Sequence, residues 1–144
     1  MAGRNFVQYH YSLEKKLVTI YANWDGNSTS TPTLLHWNGS SLVTAPSGGT
    51  RGVKSITRNG VGDLTITFQD NFQRLLSVDF VALAKDGSTT PAACNLWVKA
   101  VSPGASGGAT LNVVTYLNAA GTPADSTTND RWYLAVVWSD SQAF

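Results

Sequence analysis

The chain has 144 residues, a net charge of +1, 42% hydrophobic residues and 13% charged residues. That length and apolar fraction fit one folded domain with its own core and exclude an intrinsically disordered chain. The ten Lys and Arg are scattered rather than gathered into a basic stripe, which argues against a nucleic-acid partner.

Glu14 is the single glutamate, while Thr and Ser are abundant. Exposed helix faces favour Glu, Lys and Gln, whereas strands and turns favour Thr, Val and Tyr, so composition leans to an all-β fold. No run of about 18 apolar residues is present to cross a membrane as a helix. The opening residues Met1-Ala2-Gly3-Arg4-Asn5 lack the apolar stretch of a signal peptide. Cys94 is alone, so it has no intrachain partner, and its setting Ala93-Cys94-Asn95-Leu96 reads as a small buried hydrophobe in a strand. Two glycosylation sequons, Asn27-Ser28-Thr29 and Asn38-Gly39-Ser40, read as turns.

Residues 1–14 carry Phe6, Tyr9 and Tyr11 without clean periodicity, and are expected to form an arm that packs on its own domain or on a neighbour. Residues 15–144 are expected to form one domain. Its first strand spans Lys16–Trp24, with Leu17, Thr19 and Tyr21 opposing Val18, Ile20 and Ala22. Asp25-Gly26 opens a polar loop through Pro32. Thr33–Trp37 is a short strand, Asn38-Gly39 a hairpin turn, and Ser41–Ala45 a weaker strand. Pro46-Ser47-Gly48-Gly49 breaks the chain.

Val53–Arg58 and Asp63–Gln69 form a hairpin about Asn59-Gly60-Val61-Gly62. In the second strand Leu64, Ile66 and Phe68 share one face; Asp63, Thr65, Thr67 and Gln69 share the other. Asp70-Asn71-Phe72-Gln73 reads as one helical turn with Asp70 as its cap. Leu76–Ala84, Cys94–Val101, Thr110–Leu117 and Arg131–Trp138 complete the strands. Setting aside Ser41–Ala45, the pattern predicts about eight strands in an antiparallel two-sheet sandwich, jelly-roll-like, with an immunoglobulin-like sandwich as the alternative. Arg131–Trp138 is apolar on both faces, which fits either a central strand or a subunit contact.

Candidate chemistry is thin. Gly104-Ala105-Ser106-Gly107-Gly108 matches a nucleophile pattern, but a β-like run follows where a helix is needed, and His10 and His36 both precede Ser106. Neither histidine has a metal-binding partner at a suitable spacing. Asp25-Gly26-Asn27 lacks the longer spacing of a calcium loop. No glycine-rich stretch has a phosphate-loop ending. Asp63, Asp70 and Asp79 sit on neighbouring predicted strands, where a carboxylate pair could meet, although Asp is ordinary in such places. The expectation is a non-enzyme without cofactor or metal. Aromatic rings can stack on sugars, and Trp24 and Trp37, beside polar loops, are the ligand-facing candidates.

The stretch Gly52-Val53-Lys54-Ser55-Ile56-Thr57-Arg58-Asn59-Gly60-Val61-Gly62-Asp63-Leu64-Thr65-Ile66-Thr67-Phe68 resembles a hairpin of small tailed-bacteriophage structural proteins. Trp132-Tyr133-Leu134-Ala135-Val136-Val137-Trp138 fits the same picture. With its size, the chain resembles phage capsid cement, or decoration, proteins over about half its length. The resemblance implies a structural virion protein, made in the host cytoplasm and bound to the outer surface of an icosahedral capsid. Its implied partners are the major capsid protein and itself, as a dimer or trimer, with no nucleic acid and no membrane. Arg4, Phe6, Tyr9, Tyr11, Trp132 and Trp138 are the expected interaction residues. The alternative is a carbohydrate- or receptor-binding module of a phage tail or spike. The loops 25–32, 46–52, 102–109 and 118–130 are further contact sites.

Overall fold

The structure is a computed structural model that describes residues 17–27, 29–85, 95–116 and 121–139. Among these residues every regular element is a strand. In chain order they are β1 (Leu17–Asp25), β2 (Thr33–Trp37), β3 (Leu42–Thr44), β4 (Val53–Gly60), β5 (Asp63–Phe68), β6 (Arg74–Ala84), β7 (Asn95–Ser102), β8 (Thr110–Tyr116) and β9 (Asp130–Ser139). All nine fall on segments the sequence pattern marks as extended; the ninth is β3, inside the weak stretch Ser41–Ala45.

The strands form two antiparallel sheets. One has the order β3-β2-β1-β9-β6, the other β4-β5-β8-β7. The chain is all-β and compatible with a two-sheet sandwich. β1 pairs with β9, and the β5–β8 pair is nested inside that pairing. Hairpins stay within one sheet, while the connections β3–β4, β5–β6, β6–β7 and β8–β9 pass between sheets.

Period-two alternation sets the inner faces. Ile20, Ala22 and Trp24 of β1 meet Val136, Leu134 and Trp132 of β9 in register. Leu64, Ile66 and Phe68 of β5 and Leu111 and Val113 of β8 supply the facing layer, all fully or nearly fully buried. Each such side chain contributes about 1.5–3 kcal/mol by leaving water.

Two aromatic groups anchor the ends of β9. Trp132 stacks on Trp24 at 6.0 Å between ring centroids, with Phe80 tilted against it at 5.9 Å. At the other end Trp138 stacks on Phe72 at 5.0 Å and takes Phe68 edge-on at 5.2 Å. The Trp132 Nε1–H donates to the buried Ser126 Oγ at 2.8 Å.

The Asp70–Gln73 segment is not helical. Its backbone is used between sheets: Ala109 N donates to the Asp70 carbonyl, Phe72 N to Pro103 and Gln73 N to Ser139. Those bonds, together with burial of Phe72, outweigh a single helical turn, whose nucleation is unfavourable. The β4–β5 hairpin is tighter than its glycine pattern predicts. β4 runs on to Gly60 through a bulge, leaving Val61-Gly62 as the turn, with Gly62 at φ 66°. At the β2–β3 hairpin the Asn38 carboxamide oxygen accepts from the Ser40 and Ser41 amides at 3.0 and 2.9 Å, and Gly39 takes φ 104°.

Candidate functional site

The expected interaction residues divide into two groups. Arg4, Phe6, Tyr9 and Tyr11 lie outside the described residues, as do the expected arm, His10 and Cys94. Trp132 and Trp138 are completely buried between the sheets. β9 is apolar on both faces because it is central, flanked by β1 and β6, and its outward residues Tyr133, Ala135 and Val137 are half-buried. These tryptophans act in packing and present no surface to a partner.

Trp24 is likewise inside the core rather than facing a ligand. Its place in the alternation, two residues beyond Ala22, carries that signal. Trp37 remains 62% exposed.

The carboxylates do not converge. Asp63 lies on the outer face of the β4-β5-β8-β7 sheet, Asp79 on the outer face of the other sheet, and Asp70 in a connection between them. Each clamped carboxylate has a structural partner. Arg131 grips Asp25 from the directly opposite position of β9, with Nε and Nη2 at 2.7 and 3.1 Å, and Lys85 adds a third contact at 3.1 Å. Burial pushes the Asp25 carboxyl up, and the bonds from Arg131 and Lys85 more than reverse it, leaving its pKa below the ordinary value. The Asp25-Gly26-Asn27 turn is thus occupied by cationic side chains of the protein itself.

Arg58 holds Asp125 in a two-pronged pair at 2.9 and 2.7 Å, and Gly62 N donates to the same carboxylate. The Arg58 bond is the main reason the Asp125 pKa is lowered. This ties the segment before β9 onto the β4–β5 turn, where Thr115 and Ala124 also bond each other. What reads in sequence as a polar contact loop is, over its described part, a strap packed on the sandwich.

Asp63 accepts from Lys99, Asn59 and Asn112. The Lys99 bond leads in drawing its pKa down to about 2. The Gly104–Gly108 stretch runs straight into β8, so Ser106 lacks the helix that a nucleophile turn requires. Among the described residues no group of three His, Cys, Asp or Glu side chains is placed to hold a metal ion.

Three open surfaces stand out among the described residues. The first is the flank where β6 and β7 end their sheets side by side. β6 is eleven residues long, and Leu76, Phe80, Val81 and Leu83 are exposed along it; Trp97 and Val98 of β7 are exposed nearby. The opposite edges differ. β3 has three residues, and β4 carries Lys54 and Arg58 and is interrupted by two bulges, against one near the start of β6. Short, charged or bulged edges resist strand addition, whereas a long apolar edge invites it.

The second surface is a shelf of about 390 Å³ on the outer face of β7 and β8. There Trp97 leans on Tyr116 at 5.4 Å beside the Asp63–Lys99 pair. The third is a cleft of about 640 Å³ between β1 and β2. It opens because β2 pairs with β1 only from Thr33 to Leu35, after which His36 and Trp37 pair with β3 alone. The 46–52 loop forms its far wall.

The chain matches no family model, no curated protein and no solved structure.

Proposed function

We propose that this chain is a structural virion protein. It binds the outer surface of an icosahedral phage capsid and cements neighbouring major capsid subunits, working by contact rather than by reaction. Support comes from the resemblance of residues 52–68 and 132–138 to tailed-phage decoration proteins, and above all from the β6 edge. Among the described residues no strand pairs with its outer side. An eleven-residue edge bearing four exposed large apolar side chains favours self-association. A second copy can join its own β6 antiparallel across a two-fold axis, an isologous contact.

The rest of the molecule suits a load-bearing role. A core packed from two sheets transmits strain with little compliance. A multimer that grips several shell subunits at once makes each later contact effectively intramolecular, so individual contacts need not be strong.

Quantitative mass spectrometry of the purified parent particle tests the reading, paired with a cryo-electron microscopy map. A copy number comparable to that of the major capsid protein, with density on the shell exterior, is expected. A few copies confined to the tail, or absence from the particle, overturns it.

A further inference from the structure

The cleft between β1 and β2 has a specific chemistry. Two aromatic rings border it, Tyr21 and Trp37, and both are more than 60% exposed. Free aromatic faces are costly to leave in water and are the usual platform for the apolar face of a sugar ring. The lining contains Arg51 and His36 but no carboxylate, and among the described residues no acid pairs with Arg51. The site is therefore biased toward an anion.

Two of its lining residues also carry buried polar atoms without a partner, His36 Nδ1 and Thr50 Oγ1. Both atoms are occluded from solvent, so a ligand is met by the exposed groups of the lining. Gln69 reaches in from the end of β5 and is held by donating to the Thr50 carbonyl at 2.7 Å, which fixes the 46–52 wall. The volume, about 640 Å³, lies in the range that encloses a small ligand.

We infer that this cleft is a saccharide-binding site selective for carboxylated sugars. Tyr21 and Trp37 stack on the ring and Arg51 pairs with the carboxylate. The inference stands apart from the capsid reading, since its residues are not those of the β6 edge.

The test is a nuclear magnetic resonance titration of the full-length, isotope-labelled protein with digalacturonate, with 3′-sialyllactose and with neutral lactose. Shift changes centred on Tyr21, Trp37 and Arg51 are expected with at least one acidic sugar, and weaker binding with lactose. Trp37→Ala is expected to weaken the acidic sugar by about tenfold. Arg51→Gln is expected to remove the preference for acid over lactose while leaving the fold intact, because both side chains are exposed. No shift at these residues with either acidic sugar overturns the inference. So does an acid preference that survives Arg51→Gln, or a response centred on Trp97 instead.

Discussion

Trp24 of β1 lies directly opposite Trp132 of β9 in the strand register, and the two rings stack within 12° of parallel. One residue further along, Asp25 faces Arg131 on the outer side and is gripped by it through two hydrogen bonds. A one-residue slip of β1 would turn Trp24 to solvent and Asp25 into the core. The adjacent pairs therefore lock the register from both faces of the sheet.

Trp138 closes the other end of the core against Phe72 and Phe68. Trp138→Ala should lower stability by about 3–5 kcal/mol, as a large buried aromatic is replaced by a void. Urea unfolding measures the loss. Light scattering of the folded fraction should show unchanged oligomer mass; a mass change without loss of stability would place Trp138 at an interface instead.

Acid should destabilise the fold in a defined window. The Asp63 carboxyl is drawn to about 2 from an ordinary 3.8, and those of Asp25 and Asp125 are shifted in the same direction. A carboxyl with a depressed pKa contributes fully above its unfolded value and loses that contribution as pH falls toward the folded one. Stability should therefore drop between about pH 4 and pH 2. Asp63→Asn should flatten this limb by about 1 kcal/mol, a figure reduced for screening because the Lys99 side chain is 58% exposed. Thermal melts of both proteins across that range decide the point, and parallel curves would count against it.

Gly108 should not tolerate a side chain. It sits at φ +117°, and a Cβ there would lie 1.9 Å from the Phe68 carbonyl oxygen. Gly108→Ala should cost at least about 1–3 kcal/mol through backbone strain and displacement of β5. Gly39, with φ +104° and open space around it, isolates the conformational part, so Gly39→Ala should cost less in the same assay.

The β6 edge offers a clean separation of association from folding. Val81 points outward and is 61% exposed. Val81→Lys should reduce the oligomer to monomer, because an edge lysine opposes strand addition, while changing monomer stability by no more than about 0.5 kcal/mol. Analytical ultracentrifugation over a concentration series reads the first effect and calorimetry the second. Unchanged mass would move self-association away from this edge.

Much of the fold can be read from alternation alone. The pattern Leu64, Ile66, Phe68 against Asp63, Thr65, Thr67 places β5 correctly, because sheet faces depend on a local period of two. The same parity carries Trp24 inward with Ile20 and Ala22, a signal that outweighs its position beside a polar loop. Other features depend on which strands become neighbours. Nothing local brings Lys99 and Asn112 to Asp63, or Phe72 to Trp138. The cleft at Trp37 exists only because β2 leaves β1 after Leu35 to follow β3. Likewise, the apolar outer face of β9 fits a centre strand or a contact equally well until β6 is seen on its far side.

The order of strands sets a kinetic constraint. β9 lies between β1 and β6, and the clamp that joins Arg131 to Asp25 spans 106 residues of sequence. β1 and β6 thus have no shared partner until the segment that separates them has been synthesised and has found its slot. Loop-closure entropy opposes so distant a pairing, and the exposed β6 edge has no β9 to hold it meanwhile. Slow, temperature-sensitive maturation with losses to aggregation follows from this arrangement, and cold, dilute refolding should raise the yield.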